Sequence, residues 1–310
     1  GGAGPGGAPS GRLQGVEQEG EKTMGKIVIV GSGPAGCSAA LYAARAGQEV
    51  VVISMGMGAL SKAELIQNYY GFEEGITGAE LYRQGVAGAK AVGAEFITAE
   101  VVGLDYTGSL VVQTTDGDYP ADAVILATGA GRIAPKIAGL AEHEGRGVSY
   151  CATCDAFFYR GKTAAVLGSG EYALHEVQAL LPLAGKVILC TNGEPLTADF
   201  PEGVEICTEK LAAVEGEEKV SALRLENGEL LPVEGLFVAL GVAGSAALAR
   251  KLGAPVENGR IVVDERMQTG IPGLYAAGDC TGGLLQVCKA VYEGALAATE
   301  AIKMLRGKKR

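Results

Sequence analysis

The chain has 310 residues, 48% of them hydrophobic and 20% charged, and this length and balance predict two globular domains. Acidic side chains outnumber basic ones by 36 to 26, and the net charge of −10 excludes the broad basic surface of a general nucleic-acid binder. Two histidines exclude a histidine-rich metal site, and seven scattered cysteines do not fit a secreted disulfide framework.

The first 23 residues are rich in glycine and proline and then in glutamate, without apolar periodicity. This composition predicts a disordered leader or tag over 1–23, with Met24 as the natural start. No signal peptide is recognised, so the cytoplasm is the expected location. The next stretch, 27–44, is uncharged, but glycines and a proline interrupt it. We therefore expect a strand, a turn and a helix there rather than a membrane span.

A βαβ unit opens the ordered part of the chain. A strand is predicted over 26–30, an alanine-rich helix up to about Ala46, and a second strand over 49–54. The glycine pattern between strand and helix is typical of a dinucleotide-binding turn, although an ordinary glycine-rich turn is the alternative. The acid that usually binds the ribose is missing, because the second strand ends at Ser54. The turn consists of Gly31, Ser32, Gly33, Pro34, Ala35 and Gly36.

The rest of the chain repeats this plan. After the first unit, a helix is predicted from about 78, with short strands near 99–106, 110–115 and 123–127. A second βαβ unit has strands at 164–167 and 186–190 around the turn Gly168-Ser169-Gly170, and an antiparallel run over 220–225, 229–233 and 236–240 follows it. The chain then continues with a linker at 241–245, strands at 260–263 and 273–277, and a helix over 284–305. Two copies of a βαβ unit with an antiparallel meander predict an α/β fold with two Rossmann-like, three-layer domains.

The sharpest chemical signal is the pair Cys151 and Cys154, which Asp155 follows directly. Two thiols at this spacing can close and reopen a disulfide, and a helix N-terminus would stabilise the attacking thiolate. Asp155 can act as an acid or base at the leaving thiol. The alternatives are a buried structural pair or half of a metal site, but no further ligands accompany the pair, and we predict no metal.

Two further motifs, Ala127-Thr128-Gly129 and Gly278-Asp279, each follow a predicted strand. Together with the first glycine turn and the cysteine pair, they resemble the low-molecular-weight thioredoxin reductases over 24–303. The stretches 156–160 and 235–241 add to the likeness. The resemblance implies an FAD-binding domain and a central redox domain, in a homodimer whose domains rotate. The implied boundaries are 24–130 with 246–310 for FAD, and 131–245 for the central domain.

The same resemblance implies roles for single residues. Cys154 would lie nearer the flavin, and Cys151 would exchange with the substrate disulfide. The residues that would contact FAD are Gly31, Ser32, Gly33, Pro34, Ala35, Gly36, Asn68, Ala127, Thr128, Gly129, Gly278, Asp279 and Gln286.

The sequence departs from the NADPH-dependent members after the second βαβ unit. Those members carry arginines that pair with the 2′-phosphate, whereas 191–197 here contain no Arg or Lys and include Glu194. The stretches 278–286 and 68–72 are similar to the ferredoxin-dependent flavin thioredoxin reductases, which implies ferredoxin as electron donor and thioredoxin as acceptor. The basic end of the chain, Lys303 with 306–310, is one candidate docking patch for ferredoxin or simply a solvated helix end.

Three other functions stay open. The first is an NAD(P)H-dependent thioredoxin reductase. The second is a dithiol oxidase, which would close a disulfide in a small molecule and pass the electrons to oxygen. The third is a flavin-bound redox sensor without turnover. Disulfide reduction with any electron donor would exclude this third function.

Overall fold

The computed structural model describes residues 25–130 and 135–307. The predicted leader over 1–23 and the last three residues of the basic tail lie outside the described residues. The strands are β1 (Lys26–Val30), β2 (Glu49–Ser54), β3 (Glu95–Thr98), β4 (Val101–Tyr106), β5 (Leu110–Thr114), β6 (Gly117–Ala121), β7 (Ala123–Leu126), β8 (Val148–Ser149), β9 (Thr163–Leu167), β10 (Lys186–Cys190), β11 (Glu205–Cys207), β12 (Leu211–Glu215), β13 (Ala222–Leu225), β14 (Leu230–Pro232), β15 (Gly235–Val238), β16 (Val256–Glu257), β17 (Arg260–Ile261) and β18 (Leu274–Ala276). The helices are α1 (Pro34–Arg45), α2 (Gly78–Ala91), α3 (Ala152–Asp155), α4 (Glu171–Leu180), α5 (Ser245–Lys251) and α6 (Val287–Gly307).

The first sheet is parallel, in the order β18-β7-β1-β2-β3, and its inner strands β1 and β2 consist mainly of buried β-branched residues. Such runs are typical of parallel strands that are covered on both faces. Ile27 and Ile29 face the alanine-rich helices α1 and α6, whereas Val28 and Val30 face the antiparallel meander β4-β5-β6. We call this sheet, with α1, α2, α5, α6, β4–β6 and the small β16-β17 ribbon, the first unit.

The second sheet is also parallel, in the order β11-β10-β9-β15-β8. One face packs on the meander β12-β13-β14 and the other packs on α4, so this unit also has three layers. We call this sheet, with α3, α4 and β12–β14, the second unit. The predicted fold class, an α/β protein with two Rossmann-like domains, is confirmed.

The structure corrects the predicted membership of the second meander. The run 236–240 was expected to follow 229–233 in an antiparallel sheet, but β15 lies in the parallel sheet between β9 and β8. The third meander strand is β12, which the sequence analysis missed. All four residues of β15 are buried, and full burial is the signature of a parallel strand rather than of a half-exposed meander strand.

The chain passes into the second unit between β7 and β8 and returns between β15 and α5. The proposed boundary at 130–131 falls in the first connection, whereas the one at 245–246 falls after the first residue of α5. Where the units meet, α4 and α5 both pack against β4, and one apolar cluster runs through both units. Among the described residues, no helix is long and apolar enough to cross a membrane.

Candidate functional site

The first glycine turn is shaped by close backbone approaches. Gly31 has a φ of +109°, and a Cβ there would overlap the carbonyl oxygen of Ala127. A Cβ at Gly36 would overlap the carbonyl oxygen of Gly31, so that α1 can pack directly on the turn only with glycine. Gly33 differs, because nothing lies within 4 Å of its Cβ position. The open space at Gly33, at the N-terminus of α1, fits the diphosphate of a dinucleotide.

A cleft of about 750 Å³ extends from this turn across the carboxyl edge of the first sheet. Its volume is within the range of ligand pockets. Of the thirteen cofactor residues predicted from the sequence, all but Gly36 line the cleft, and Gly36 lies beneath the turn. The mouth is bridged by a hydrogen bond of 2.8 Å from Asn68 Nδ2 to Gln286 Oε1. These predicted residues are therefore brought together along one surface.

A serine pair stands at the end of β2, where the ribose-binding acid is missing. Ser54 Oγ and Ser32 Oγ are 2.6 Å apart, and Tyr82 Oη is 3.1 Å from Ser32 Oγ. Both serines line the cleft. Hydroxyl groups here provide neutral donors and acceptors without a fixed negative charge.

Two residues that the sequence analysis missed hold the Gly278-Asp279 loop in place. Glu293 Oε2 accepts the N–H of Gly278 at 2.8 Å and the hydroxyl of Thr281 at 2.9 Å. Lys289 Nζ donates to the carbonyl of Gly278 at 2.8 Å and pairs with Glu293. In the sequence, these two residues could have been noticed as an oppositely charged pair at i,i+4 spacing on an otherwise alanine-rich helix. The loop that carries Asp279 is thus anchored to α6.

The redox pair is a disulfide between Cys151 and Cys154 at the start of α3. Cys151 is buried, with 3% exposed, and its Sγ accepts the N–H of Cys154 at 3.1 Å, whereas Cys154 is exposed. Ser149 Oγ donates to Asp155 Oδ2 at 2.7 Å and accepts the N–H of Cys151 at 3.1 Å. Asp155 is therefore linked to the cysteine backbone through one hydroxyl.

The first unit touches this disulfide through the end of α5. Cys154 Sγ lies 3.6 Å from the carbonyl oxygen of Arg250 and 3.8 Å from that of Lys251. The Arg250 guanidinium lies over the ring of Tyr150, just before the redox pair, at 4.6 Å from its centroid. The disulfide therefore lies at the contact between the two units.

The second glycine turn has the same backbone shape as the first, but other residues lie against it. A Cβ at Gly168 would overlap the carbonyl oxygen of Ala239, as at the first turn. At Gly170, however, the Cβ position is only 3.0 Å from Thr197 Oγ1. The N–H of Thr197 also donates to the carbonyl of Ser169 at 2.9 Å. Thr197 therefore lies against the second turn at the position that corresponds to the open space at Gly33.

Acidic side chains flank this second turn. Glu171 is the first residue of α4, where a diphosphate would meet the N-terminus, and Glu100 lies opposite, just before β4. Burial, with the nearby Glu171 charge, raises the pKa of the Glu100 carboxyl, and the Tyr172 N–H acts in the other direction. The segment 191–197 itself contains no Arg or Lys, as the sequence analysis noted. The structure brings one cation to it from elsewhere in the chain, because the side chain of Lys210 lies over Gly193.

His143 and the buried cysteines Cys37 and Cys280 show no sign of reactivity. His143 is buried with its ring nitrogens against the carbonyls of Gly139 and Gly216. Burial raises the pKa of the Cys37 thiol to about 12 and that of Cys280 to about 11, which leaves little thiolate. Within the described part of the chain, no group of three His, Cys, Asp or Glu side chains is placed to hold a metal ion.

Known proteins of similar sequence and structure identify the family. The sequence profile of the pyridine nucleotide-disulphide oxidoreductases matches residues 25–294. A thioredoxin reductase of Aquifex aeolicus is 36% identical over 308 residues, covering 92% of this chain and 94% of the relative. An atypical thioredoxin reductase from Desulfovibrio vulgaris Hildenborough, known from a crystal structure, is 40% identical in sequence, with a TM-score of 0.86. A ferredoxin-flavin thioredoxin reductase from Clostridium acetobutylicum, also known from a crystal structure, is 35% identical, with a TM-score of 0.70. Each of these two alignments covers 92% of this chain and 99% of the other.

Members of this family bind FAD, and the open space at Gly33 with the adjoining cleft fits a dinucleotide. The disulfide between Cys151 and Cys154 supplies the second redox group that the family uses. The chain therefore belongs to the pyridine nucleotide-disulphide oxidoreductases, as an FAD-dependent disulfide oxidoreductase of the thioredoxin reductase type.

Proposed function

We propose that the protein reduces a thioredoxin-like protein through FAD and the Cys151–Cys154 disulfide, with reduced ferredoxin rather than NADPH as the electron donor. FAD, when bound, supplies electron pairs to the disulfide. Thioredoxin has a potential of about −270 mV, so a donor at or below that potential suffices. The similarity to the ferredoxin-flavin thioredoxin reductase from Clostridium acetobutylicum supports the same donor here.

The observation that carries the proposal is the difference between the two glycine turns. The first turn has open space at Gly33, whereas the second has Thr197 against Gly170 and Glu171 at the helix start. A diphosphate approaching the second turn would meet a filled space and a negative charge. We infer that the second unit has lost its pyridine nucleotide site and that electrons arrive by another route.

The cysteines divide the chemistry between them. When two electrons and one proton cleave the S–S bond, the Cys154 N–H stabilises a thiolate on Cys151, and the carbonyls of Arg250 and Lys251 can accept the S–H of Cys154. The Cys151 thiolate then attacks the substrate disulfide and releases one substrate thiolate. Cys154, after losing its proton, attacks Cys151 in the mixed disulfide, which restores the original bond and releases the second substrate thiolate.

Two features outside the redox pair bear on the compartment and on a protein donor. Besides the redox pair, the five other cysteines are free thiols, so the cytoplasm is the proposed location. In the candidate docking patch, Lys303 pairs with Glu300 and Arg306 is exposed, while 308–310 lie outside the described residues. Homodimer formation stays a prediction from the family resemblance.

The test is anaerobic reduction of the bound flavin, followed by its absorbance. Reduced ferredoxin should bleach the flavin within the time of one catalytic turnover, and oxidised thioredoxin should then restore the colour. NADPH and NADH, each at millimolar concentration, should leave it yellow. Fast bleaching by either pyridine nucleotide would refute the proposed donor. Bleaching by small dithiols alone, with oxygen uptake on exposure to air, would instead favour the dithiol oxidase.

One observation favours an NADPH-dependent enzyme as the second candidate. Lys210 lies over Gly193, in the loop after β10 where a 2′-phosphate would be recognised. If NADPH reduces the flavin, Lys210→Met should raise the KM for NADPH by about ten-fold, the size of one lost charge-assisted contact. Lys219→Met, on a loop of the same unit, is the matched control.

A further inference from the structure

A buried ion pair joins the two units beside the redox disulfide. Glu176 lies on α4 of the second unit, and Lys251 is the last residue of α5 in the first unit. Their side chains are each 1% exposed, and the ammonium of Lys251 donates to Glu176 Oε1. The two residues are 75 positions apart, so the packing of one unit on the other brings them together.

The same carboxylate holds the redox turn. Glu176 Oε2 accepts the backbone N–H of Ala152, the first residue of α3, between the two cysteines. His175 Nδ1 lies 3.4 Å from Glu176 Oε1. Burial disfavours the charged carboxylate, but the hydrogen bonds from His175, Lys251 and Ala152, with the Lys251 charge, keep the pKa of Glu176 below its ordinary value. Glu176 is therefore a carboxylate at neutral pH.

Helix α5 thus reaches the redox turn at two points. Its Lys251 side chain acts through Glu176 on the N–H of Ala152, and its last carbonyls lie against Cys154 Sγ. With both charges present, the contact between the units is compensated. Without the Glu176 charge, the Lys251 ammonium is buried without its carboxylate; without the Lys251 charge, the Glu176 carboxylate keeps only the Ala152 N–H and the His175 ring. In either case the arrangement in which water reaches the remaining charge becomes favoured.

We propose that Glu176 and Lys251 form an inter-unit latch that holds the redox turn against the first unit and sets how often Cys151 becomes accessible. Both are positioning residues. Cys151 is 3% exposed in the latched arrangement, so a protein disulfide reaches it only after a rearrangement. The proposal rests on the proposed redox role of the disulfide, but it is tested without turnover.

The experiment measures the labelling rate of each cysteine in the flavin-loaded protein. The protein is reduced anaerobically with dithiothreitol, desalted and treated with N-ethylmaleimide, and labelled peptides are quantified by mass spectrometry. Glu176→Gln keeps an oxygen for the Ala152 N–H, and Lys251→Met keeps the length of the side chain. Each single variant should label Cys151 at least about ten-fold faster than the wild type. The double variant, which buries no unpaired charge, should label within about three-fold of the wild type.

Two controls separate the latch from general loosening. Glu144→Gln removes an exposed ion pair with Arg250 between the same units, and it should change the Cys151 rate less than about two-fold. Cys190 in the second unit and Cys280 in the first are buried, so their labelling reports unfolding of each unit. Both should label at the wild-type rate in all variants.

Unchanged Cys151 labelling in both single variants would overturn the latch, as would equal acceleration at Cys190 and Cys280. A double variant that labels as fast as the single variants would also overturn it, because the effect would then not depend on charge compensation. Failure of the redox role has a different signature: Cys151→Ser protein would still reduce disulfides, whatever the labelling rates.

Discussion

The two sulfurs of the redox disulfide lie in electrostatically opposite surroundings. Cys151 Sγ accepts an N–H at the start of a helix, whereas Cys154 Sγ faces two carbonyl oxygens at the end of another. An N–H stabilises a thiolate and carbonyl oxygens destabilise it. The reduced pair is thus expected to carry its charge on Cys151, which agrees with its proposed role as the exchanging thiol.

Replacement of either cysteine should abolish disulfide reduction. We expect Cys151→Ser and Cys154→Ser to lose activity with thioredoxin by at least about 10³-fold, because a covalent step is removed. Both proteins should stay yellow, since neither cysteine lines the cleft. Steady-state reduction of thioredoxin with ferredoxin as donor is the measurement. Cys288→Ser, at an exposed cysteine, should be fully active, and activity in either redox variant would remove the pair from the mechanism.

We infer that Asp155 moves a proton at this pair, since its carboxylate is linked through the Ser149 hydroxyl to the backbone of Cys151. Asp155→Asn should lower the turnover number by about 10²-fold, the lower end for a general acid or base, without loss of flavin. Ser149→Ala should have a smaller effect, because it removes the link but not the carboxylate. The turnover number of each variant with thioredoxin is the measurement. An unchanged turnover number in Asp155→Asn would show that Asp155 transfers no proton.

At the scale of elements, the two β-turn-α units have the same backbone shape and differ in what fills the turn. Both use a glycine whose Cβ would overlap a neighbouring strand, at Gly31 and at Gly168. They differ at the middle glycine, since space is open at Gly33 whereas Thr197 Oγ1 lies 3.0 Å from the Cβ position of Gly170. We propose that this difference decides which turn binds a nucleotide.

This difference predicts separable effects in the first turn. Gly33→Ala places a methyl group in the open cleft, so FAD affinity should fall by about ten-fold or more while the apoprotein keeps its stability. Gly36→Ala places it against the Gly31 carbonyl, and we expect a loss of about 1–3 kcal/mol in the free energy of unfolding. Flavin titration and urea unfolding of the apoproteins measure the two effects. Equal FAD affinity in Gly33→Ala would contradict the proposed diphosphate position.

The contact between β4 and α4 should weaken as the pH rises. The pKa of Glu100 is raised in the folded protein, so the native state holds its proton more tightly than the unfolded state. The folded protein therefore loses the stability that the protonated Glu100 contributes as the pH rises above 4.5, the ordinary pKa of a glutamate. Glu100→Gln removes this loss, and its advantage in unfolding free energy should grow between pH 4 and pH 8. A constant advantage across this range, measured by urea unfolding, would contradict the assignment.

The sequence was most informative where a pattern is local. The first βαβ unit was predictable because β-branched strands, glycines and an alanine-rich helix follow one another within thirty residues. β6 was missed because its sequence, GDYPA, contains residues that are rare in strands. The place of β15 in the parallel sheet and the contact of Thr197 with Gly170 depend on distant segments, which periodicity does not reveal.

At the scale of the molecule, one apolar cluster runs through both units and the redox disulfide lies at their contact. The Glu176–Lys251 pair connects residues 75 positions apart, and in the sequence each looks like an ordinary surface charge on a helix. Only the packing of the units places them together in the interior. Most of the cofactor residues, by contrast, lie in motifs that follow a strand at the same sheet edge, whereas Asn68 and Gln286 were predicted from the family resemblance alone.

We propose that, of the two similar units, only the first holds a dinucleotide. The decisive measurement is equilibrium dialysis of the flavin-loaded protein against radiolabelled NADPH. We predict one tightly bound FAD per chain and no saturable NADPH binding at concentrations up to about 1 mM, a limit weaker than ordinary cofactor affinities. One NADPH bound per chain with micromolar affinity would show that the second turn is a working site and would contradict the account.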